Sequence, residues 1–358
     1  MIDWFKARVE DRQLMILLMA ILVVVLFFTL FGELLIPILV AGALAYVLDG
    51  MVTILMRIAM PRWLAVAMIC LVALMTILLA LFAMLPSLTD QVGRLIAKVP
   101  LYVQDARIAL QHFQSSEYAN WFDAAQLQQL IAAVATKIQS FGAAILSYSL
   151  NSIPSVMTFL VYVVLVPVLV FFQLKDKPLM IAWVEHFLPE DRVLLNRVWS
   201  EFHAQVGNYI RGRFWESLMV GVVTGVVFFA MHHDYALLLA TLTGLSVWIP
   251  FVGAAVVTVP VVLLSFFQWG WSETTMYALL AYGIIQLIDA NVVIPWLFSE
   301  VVNLHPVAII AAILIFGGFW GVLGVFVAIP LAALVQSIFL VIVERCAVSG
   351  EAASPNKD

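Results

Sequence analysis

Apolar residues fall along this chain in long runs with short polar interruptions, and the run lengths set the first expectation. A helix that crosses a bilayer needs about 20 apolar residues. Runs at 14–31, 34–48, 63–85, 153–173, 214–231 and 274–293 meet or approach that length and are read as membrane-crossing helices. The first two are parted only by Phe31-Gly32-Glu33, which predicts a tight hairpin. The first run is long and no small-residue cleavage site follows it, so it is read as a retained helix and not a leader.

Residues 86–152 carry another pattern. Leu88, Val92, Leu95, Ile96 and Val99 recur at helical spacing, as do Leu127, Leu130, Ile131, Val134, Ile138 and Phe141. This predicts a small helical domain outside the bilayer. The stretch 190–213 is amphipathic, with Leu195, Val198, Trp199, Phe202, Val206 and Tyr209 on one side. It can lie on the membrane surface or pack under the bundle.

Two further apolar regions, 235–268 and 306–344, are interrupted. The first breaks at "VWIPFVGAA", where Pro250 has no N–H to donate and Gly253 loosens the backbone. The second holds Gly317, Gly318, Gly321 and Gly324 and then Pro330, with the break expected at Gly317-Gly318. In a helix interior glycine and proline cost roughly 1 and 3 kcal/mol relative to alanine. An unpaired backbone group in lipid costs several kcal/mol more, so such breaks need protein or a water-filled cavity around them. "VGAAVVTVP" after the first break is faintly echoed by "LGVFVAIP" after the second. Paired broken segments point to a transporter binding site. Close helix packing through small residues, for which Gly317 and Gly321 have the spacing, would use the same glycines. The sequence leaves both readings open.

The expected architecture is an all-α polytopic membrane protein with about six full spans, two broken or re-entrant helical hairpins and a small helical exterior domain. Its divisions are 1–85 (three membrane helices), 86–152 (helical periplasmic segment), 153–173 (one membrane helix), 174–213 (cytoplasmic amphipathic segment), 214–345 (transport core) and 346–358 (cytoplasmic tail).

Composition strengthens the membrane reading. Apolar residues make up 65% of the 358 and charged residues 11%, against about 45–50% and about 25% in soluble domains. The surplus of apolar side chain must face lipid. A net charge of -5, spread out, points to neither nucleic acid nor an acidic tail. Cys70 and Cys346 suggest no disulfide framework and no metal spacing. No nucleotide-binding loop is present, which argues against direct use of ATP. Lysines and arginines favour the cytoplasmic side. Three lie in the N-terminal tail, two in the 49–62 loop and six in 174–213, whereas the longer 86–152 has four. Alternation then puts both termini in the cytoplasm and 86–152 outside.

Candidate chemistry concentrates in "IIQLIDANVVIPWLFSEVVNLHP", residues 284–306. Gln286 and Asp289 share a helix face, and Asn291, Asn303 and His305 follow. A carboxylate inside a membrane is costly and usually faces a cavity with a role. The functional reading of Asp289 is preferred to one in which it sits at a helix end, among headgroups or capping backbone, whereas His305 before Pro306 could equally be an ordinary interfacial residue. Glu216 is read as pairing with Arg213 at the interface.

With these residues in view, the sequence resembles the autoinducer-2 exporter family, and within it the PerM-type permeases of Gram-negative bacteria. The resemblance covers nearly the whole chain. It rests on "VPVLVFFQLKDK" (166–177), "NYIRG" (208–212), "LSVWIPFVGA" (245–254), "QLIDAN" (286–291), "FSEVVNLHP" (298–306) and "FGGFWGVLGVFVAIPLAAL" (316–334), in that order. It implies a polytopic inner-membrane transporter without a cofactor, a homo-oligomer for which a pentamer is the suggested count. Some relatives are described as exporting autoinducer-2 and others as sodium(lithium)/proton antiporters. A sodium site wants several oxygen ligands, and Asp289 is the main acidic residue available in mid-membrane.

Four functions follow. The first is export of a small polar solute through a mid-membrane site, with Gln286, Asp289 and Asn291 as lining and Trp248, Trp296 and Trp320 available for stacking. The second is cation/proton antiport through Asp289. An intramembrane enzyme is disfavoured: a membrane aspartyl protease needs two facing carboxylates, the HExxH zinc motif is absent, and "GLSVW" (244–248) lacks the second glycine of a nucleophile elbow. His232-His233-Asp234 could hold a metal but reads as a solvated turn. The fourth is a scaffold whose exterior domain binds a partner.

Overall fold

The computed structural model describes residues 12–114, 153–188, 193–250, 252–298 and 305–352, with scattered positions between 126 and 140. These are helical almost throughout, with no strand among them. Among the described residues five stretches are long and apolar enough to cross a membrane: Leu34–Met56, Arg62–Ile108, Val193–Ala230, Val252–Trp269 and Glu273–Phe298.

Helix α1 is Arg12–Met56, 45 residues without a turn. The hairpin expected at Phe31-Gly32-Glu33 is not formed, and the helix continues through Gly32 and Pro37. One glycine costs a helix about 1 kcal/mol, whereas opening a turn among apolar residues strands several backbone groups at a larger cost each. The placement of both termini on one side was counted through that hairpin, so it loses its basis here.

Helix α2, Arg62–Gln114, joins the apolar run 63–85 to the first amphipathic stripe across Pro86 and Pro100. Val92 of that stripe is buried, and Leu88, Leu95 and Ile96 pack with it against Phe228, Tyr235, Leu238 and Val261. The second stripe, Leu127 to Phe141, lies outside the described residues. Helix α3 is Ile153–Lys175 and the short α4 is Lys177–His186.

Helix α5, Val193–Ala230, fuses the amphipathic stretch with the apolar run that follows it. Its first part packs on the last helix of the chain. Leu194, Leu195 and Val198 meet Leu334 and Ile338, and Val206, Tyr209 and Ile210 meet Ile329. Trp199 turns outward, 54% exposed. One side of this segment therefore packs on protein.

The interrupted region 235–268 is a helical hairpin, hairpin A, made of α6 (Ala236–Ser246) and α7 (Val252–Trp269). At its tip the arms touch backbone to backbone: a Cβ on Gly253 would come 1.8 Å from the Ser246 carbonyl oxygen. At its base, Gln268 accepts the Asp234 N–H at 2.9 Å and donates to the His232 carbonyl at 3.0 Å. The break at Pro250 and Gly253 is where the sequence placed it. Arm α6 also rests on a Gly-x-x-x-Gly seam of α5. Gly221 faces Gly244, Gly225 faces Ala240, and Ser217 Oγ donates to the Gly244 carbonyl at 2.7 Å.

Helix α8 is Glu273–Ile288; a π turn, Asp289–Val293, links it to the short α9, Ile294–Phe298. Pro295 explains the π turn: it has no N–H to give, and its ring crowds the carbonyl four residues back. The last helix, α10, Pro306–Ala352, is two arms joined at Gly321 (φ 59°, ψ −136°), and they form hairpin B. A Cβ on Gly324 would lie 1.8 Å from the Phe316 carbonyl oxygen, so the chain has folded back on itself. The break expected at Gly317-Gly318 is thus at Gly321, whose left-handed φ favours glycine. Gly317 stays helical and packs on Val325. Gly317 and Gly321 do not form the packing seam their spacing suggested.

The chain divides into two compact units. One comprises residues 1–72, 164–216 and 289–358 and contains hairpin B; the other comprises 73–163 and 217–288 and contains hairpin A.

Candidate functional site

The site is built in the first unit, around a buried ion pair on α5. Arg213 Nη1 donates to both carboxylate oxygens of Glu216, at 2.9 and 2.8 Å. Glu216 is 1% exposed and Arg213 8%. The sequence predicted the pair but placed it at the interface, whereas it is shut inside the protein. The reason is that α5 runs unbroken from Val193, so position 216 lies in about the seventh turn of a packed helix and not at a helix start.

Two aromatic rings close over the guanidinium. Its carbon is 5.0 Å from the Phe298 ring centre and 5.5 Å from that of Tyr209. Phe298 can come this close because residue 212 is glycine; a Cβ there would be 2.7 Å from the Phe298 ring. The π turn delivers the third charged group. Asp289, its first residue, interacts electrostatically with both Arg213 and Glu216.

Three polar atoms of this unit are buried with no hydrogen-bond partner among the described residues: Gln205 Oε1, Arg213 Nε and Asp289 Oδ1; the buried Tyr209 hydroxyl has only the Arg213 side chain as a polar neighbour, too poorly aligned for a good hydrogen bond. Residues 205, 209, 213 and 216 follow one another by four, four and three, so their side chains form one stripe along α5, roughly 16 Å long at the helical rise. Buried polar atoms are normally paired. The stripe, with Asp289 beside it, offers two open acceptors, one open donor and a phenol that can do either, and so can hydrogen-bond a small polar guest.

Of the predicted lining residues, Asp289 belongs to this cluster. Gln286 lies in the other unit, half-buried on α8 one turn after Tyr282. Asn291 is exposed and engaged in an interaction of its own. Asn303 lies outside the described residues. His305 is exposed and caps the start of α10, its Nδ1 accepting the Val307 N–H at 3.3 Å. Trp296 points outward, 71% exposed, and Trp320 stacks on Phe316 at 5.9 Å. Sequence reasoning missed Gln205 and Tyr209. The available signal was their spacing with Arg213 and Glu216, four polar-tipped residues on one face of a mostly apolar helix.

His232-His233-Asp234 is not a solvated turn throughout. His233 is buried: its Nδ1 accepts the Tyr235 N–H at 3.1 Å and its ring lies against Phe228 and Trp269. Burial holds its pKa down, at about 4, against a smaller upward pull from Asp234.

Residues 14–344 match the family described as AI-2E family transporter. The chain is 38% identical over 344 residues to "Putative permease PerM" of Escherichia coli K12, covering 94% of this chain and 96% of the relative. It is 25% identical over 322 residues to "Putative transport protein YueF" of Bacillus subtilis, covering 88% and 86%. With "Putative transport protein YrrI" of the same organism the figures are 24% over 306 residues, and 85% of each chain.

Proposed function

Since the chain belongs to the AI-2E transporter family, we propose that it moves a small polar, hydroxyl-bearing solute across the inner membrane, with autoinducer-2 as the first compound to try. We place the guest on the α5 stripe, beside Asp289. The observation that carries this reading is the set of unpartnered buried atoms, Gln205 Oε1, Arg213 Nε and Asp289 Oδ1, with the weakly engaged Tyr209 hydroxyl among them. Leaving a buried polar group without a partner costs about 1–3 kcal/mol, and a hydroxyl-rich guest answers acceptors and donors together.

The Arg213–Glu216 pair has a supporting part. Its two charges offset one another under the rings of Tyr209 and Phe298, which leaves Asp289 as the charged group that faces the guest. Solute transport is preferred because the open atoms of the site ask for hydrogen bonds in both directions, and sodium/proton antiport through Asp289 is the second reading. Multi-pass insertion in the inner membrane and assembly of several copies belong to the same proposal.

Everted vesicles from cells with and without the protein test it. Autoinducer-2 uptake is expected only with the protein, and Tyr209→Phe and Gln205→Leu are expected to cut it about tenfold, the loss of one to two hydrogen bonds, at unchanged protein level. No uptake, together with a sodium-driven pH change abolished in Asp289→Asn, would replace this reading with antiport.

A further inference from the structure

Helix α4 stands apart from every site described so far. It begins at Lys177, two residues after α3 ends at Lys175, with Asp176 (φ −100°, ψ 14°) making the turn between them. None of its residues is buried. Its apolar side chains are among the most exposed outside the long helices: Leu179 69%, Trp183 66% and Phe187, just past its end, 68%. Met180 and Val184 are also exposed.

These five positions fall on an arc of about 140° around the helix at the usual turn per residue. Glu185 lies opposite its centre, and Lys177 and His186 lie at its two edges. An apolar side bounded by side chains that can reach upward into water, carrying Trp and Phe, is the pattern of a helix lying in a membrane interface. Trp183 and Phe187 meet edge to face at 4.9 Å, so they present one continuous apolar patch.

Position decides what covers this patch. Helix α3 has 23 residues with no charged side chain before Lys175, and it lies in a chain of a membrane-transporter family. A helix that follows such a segment after one linking residue starts near the bilayer surface. Charge narrows the choice further. Lys177 Nζ is bound to Asp49 Oδ2 at 3.2 Å, and Lys175 Nζ to Asp176 Oδ1 at 3.5 Å. The cations at this end are already paired, so acidic headgroups are not needed to hold the helix down.

We propose that α4 lies flat in the headgroup layer next to the end of α3, with Leu179, Met180, Trp183, Val184 and Phe187 sunk among the acyl chains, as an in-plane anchor that depends on apolar insertion and not on lipid charge. This does not rest on the choice of transported solute.

The test uses the full chain with Cys70→Ser and Cys346→Ser, and a single cysteine placed by Trp183→Cys, Leu179→Cys or Glu185→Cys. Each is labelled with an environment-sensitive fluorophore and reconstituted into phosphatidylcholine vesicles. A lipid bearing a shallow nitroxide quencher is expected to dim the 179 and 183 labels at least about twofold more than the 185 label, and aqueous iodide to show the reverse order. Adding phosphatidylglycerol should leave this unchanged. Leu179→Cys keeps the test open if Trp183→Cys fails to fold. Iodide reaching 179 and 183 as readily as 185 would overturn the proposal. So would protection from both quenchers, with cross-linking at 179 marking a second copy as the cover. Quenching only with phosphatidylglycerol would overturn the charge-independent anchor.

Discussion

In hairpin A, Gly253 lies under the carbonyl of Ser246; in hairpin B, Gly324 lies under that of Phe316, and a methyl at either position would come within 1.8 Å of the oxygen. These are the glycines that open the two echoing segments, "VGAAVVTVP" and "LGVFVAIP". Around that shared contact the hairpins differ. The tip of A is rounded with Pro250, and that of B with Gly321 at φ 59°. The base of A is tied by Gln268, His233 and the ion pair of Lys98 with Asp234 at 3.2 Å. Hairpin B has no Asp, Glu, Lys or Arg from His305 to Phe339. The comparison teaches that close backbone approach just after the break is the common requirement, while the turn and the closure of the base can be met in more than one way.

The sharpest way to break that equivalence is to add the missing methyl. Gly253→Ala and Gly324→Ala should each lower stability by about 3 kcal/mol or more, since backbone cannot move aside as a flexible side chain can. Gly318→Ala, where a Cβ would meet nothing within 4 Å, should be near neutral. Thermal unfolding of the purified proteins in one detergent measures all three. If one of the first two is as stable as the Gly318 variant, the hairpins do not share a device.

Acid should separate them next. The pKa of His233 is held down to about 4 by burial, against about 6.5 in an open chain. Between these values the unfolded chain takes up a proton that the folded one does not. Stability present at neutral pH is therefore lost as pH falls through that window, by at most about 1.4 kcal/mol per unit. Hydrogen exchange, corrected for its intrinsic pH dependence, should speed up in residues 232–269 and not in 306–339. His233→Asn should flatten the response.

The two tips should differ by a smaller amount. Gly321→Ala must hold a left-handed backbone and is expected to cost about 1–3 kcal/mol, whereas Pro250→Ala should cost under about 1 kcal/mol. Smallest is the base of A, where Gln268→Leu should cost about 1 kcal/mol for its hydrogen bonds. Unfolding curves run as for the glycine variants decide both, and equal costs at the tips would mean that Gly321 is not strained.

How far could the sequence be read? Pro250 and Gly253 were legible because a proline and a glycine close together in an apolar run leave few other places for a break. Gly321 was not, because four glycines stand within eight residues and only the backbone angle tells the turn from its neighbours. Gly32 misled for the opposite reason: a lone glycine looks like a turn on paper and is cheap to keep in a helix. The Arg213–Glu216 pair was visible from its spacing, but its depth was not, since that depends on α5 starting at Val193. The seam at Gly221 and Gly225 was not legible, because glycines in an apolar run gain that meaning only from the helix against them, here Gly244 and Ala240. Gln205 and Tyr209 sit in an amphipathic stretch, where polar tips normally face water, and only the packing of α5 shows that these two are buried.

Helix α6 has 11 residues, about half of what a bilayer crossing needs. Its partner arm ends 23 residues later, at Trp269, so during synthesis roughly one to five seconds pass before the pair is complete. Through that interval α6 is too short to hold a place in lipid alone. Its packing partners are the seam on α5 and the arm α7, so α6 is expected to enter the membrane with them and not alone: a chain released after Ser246 should leave α6 open to protease, whereas one released after Trp269 should protect both arms.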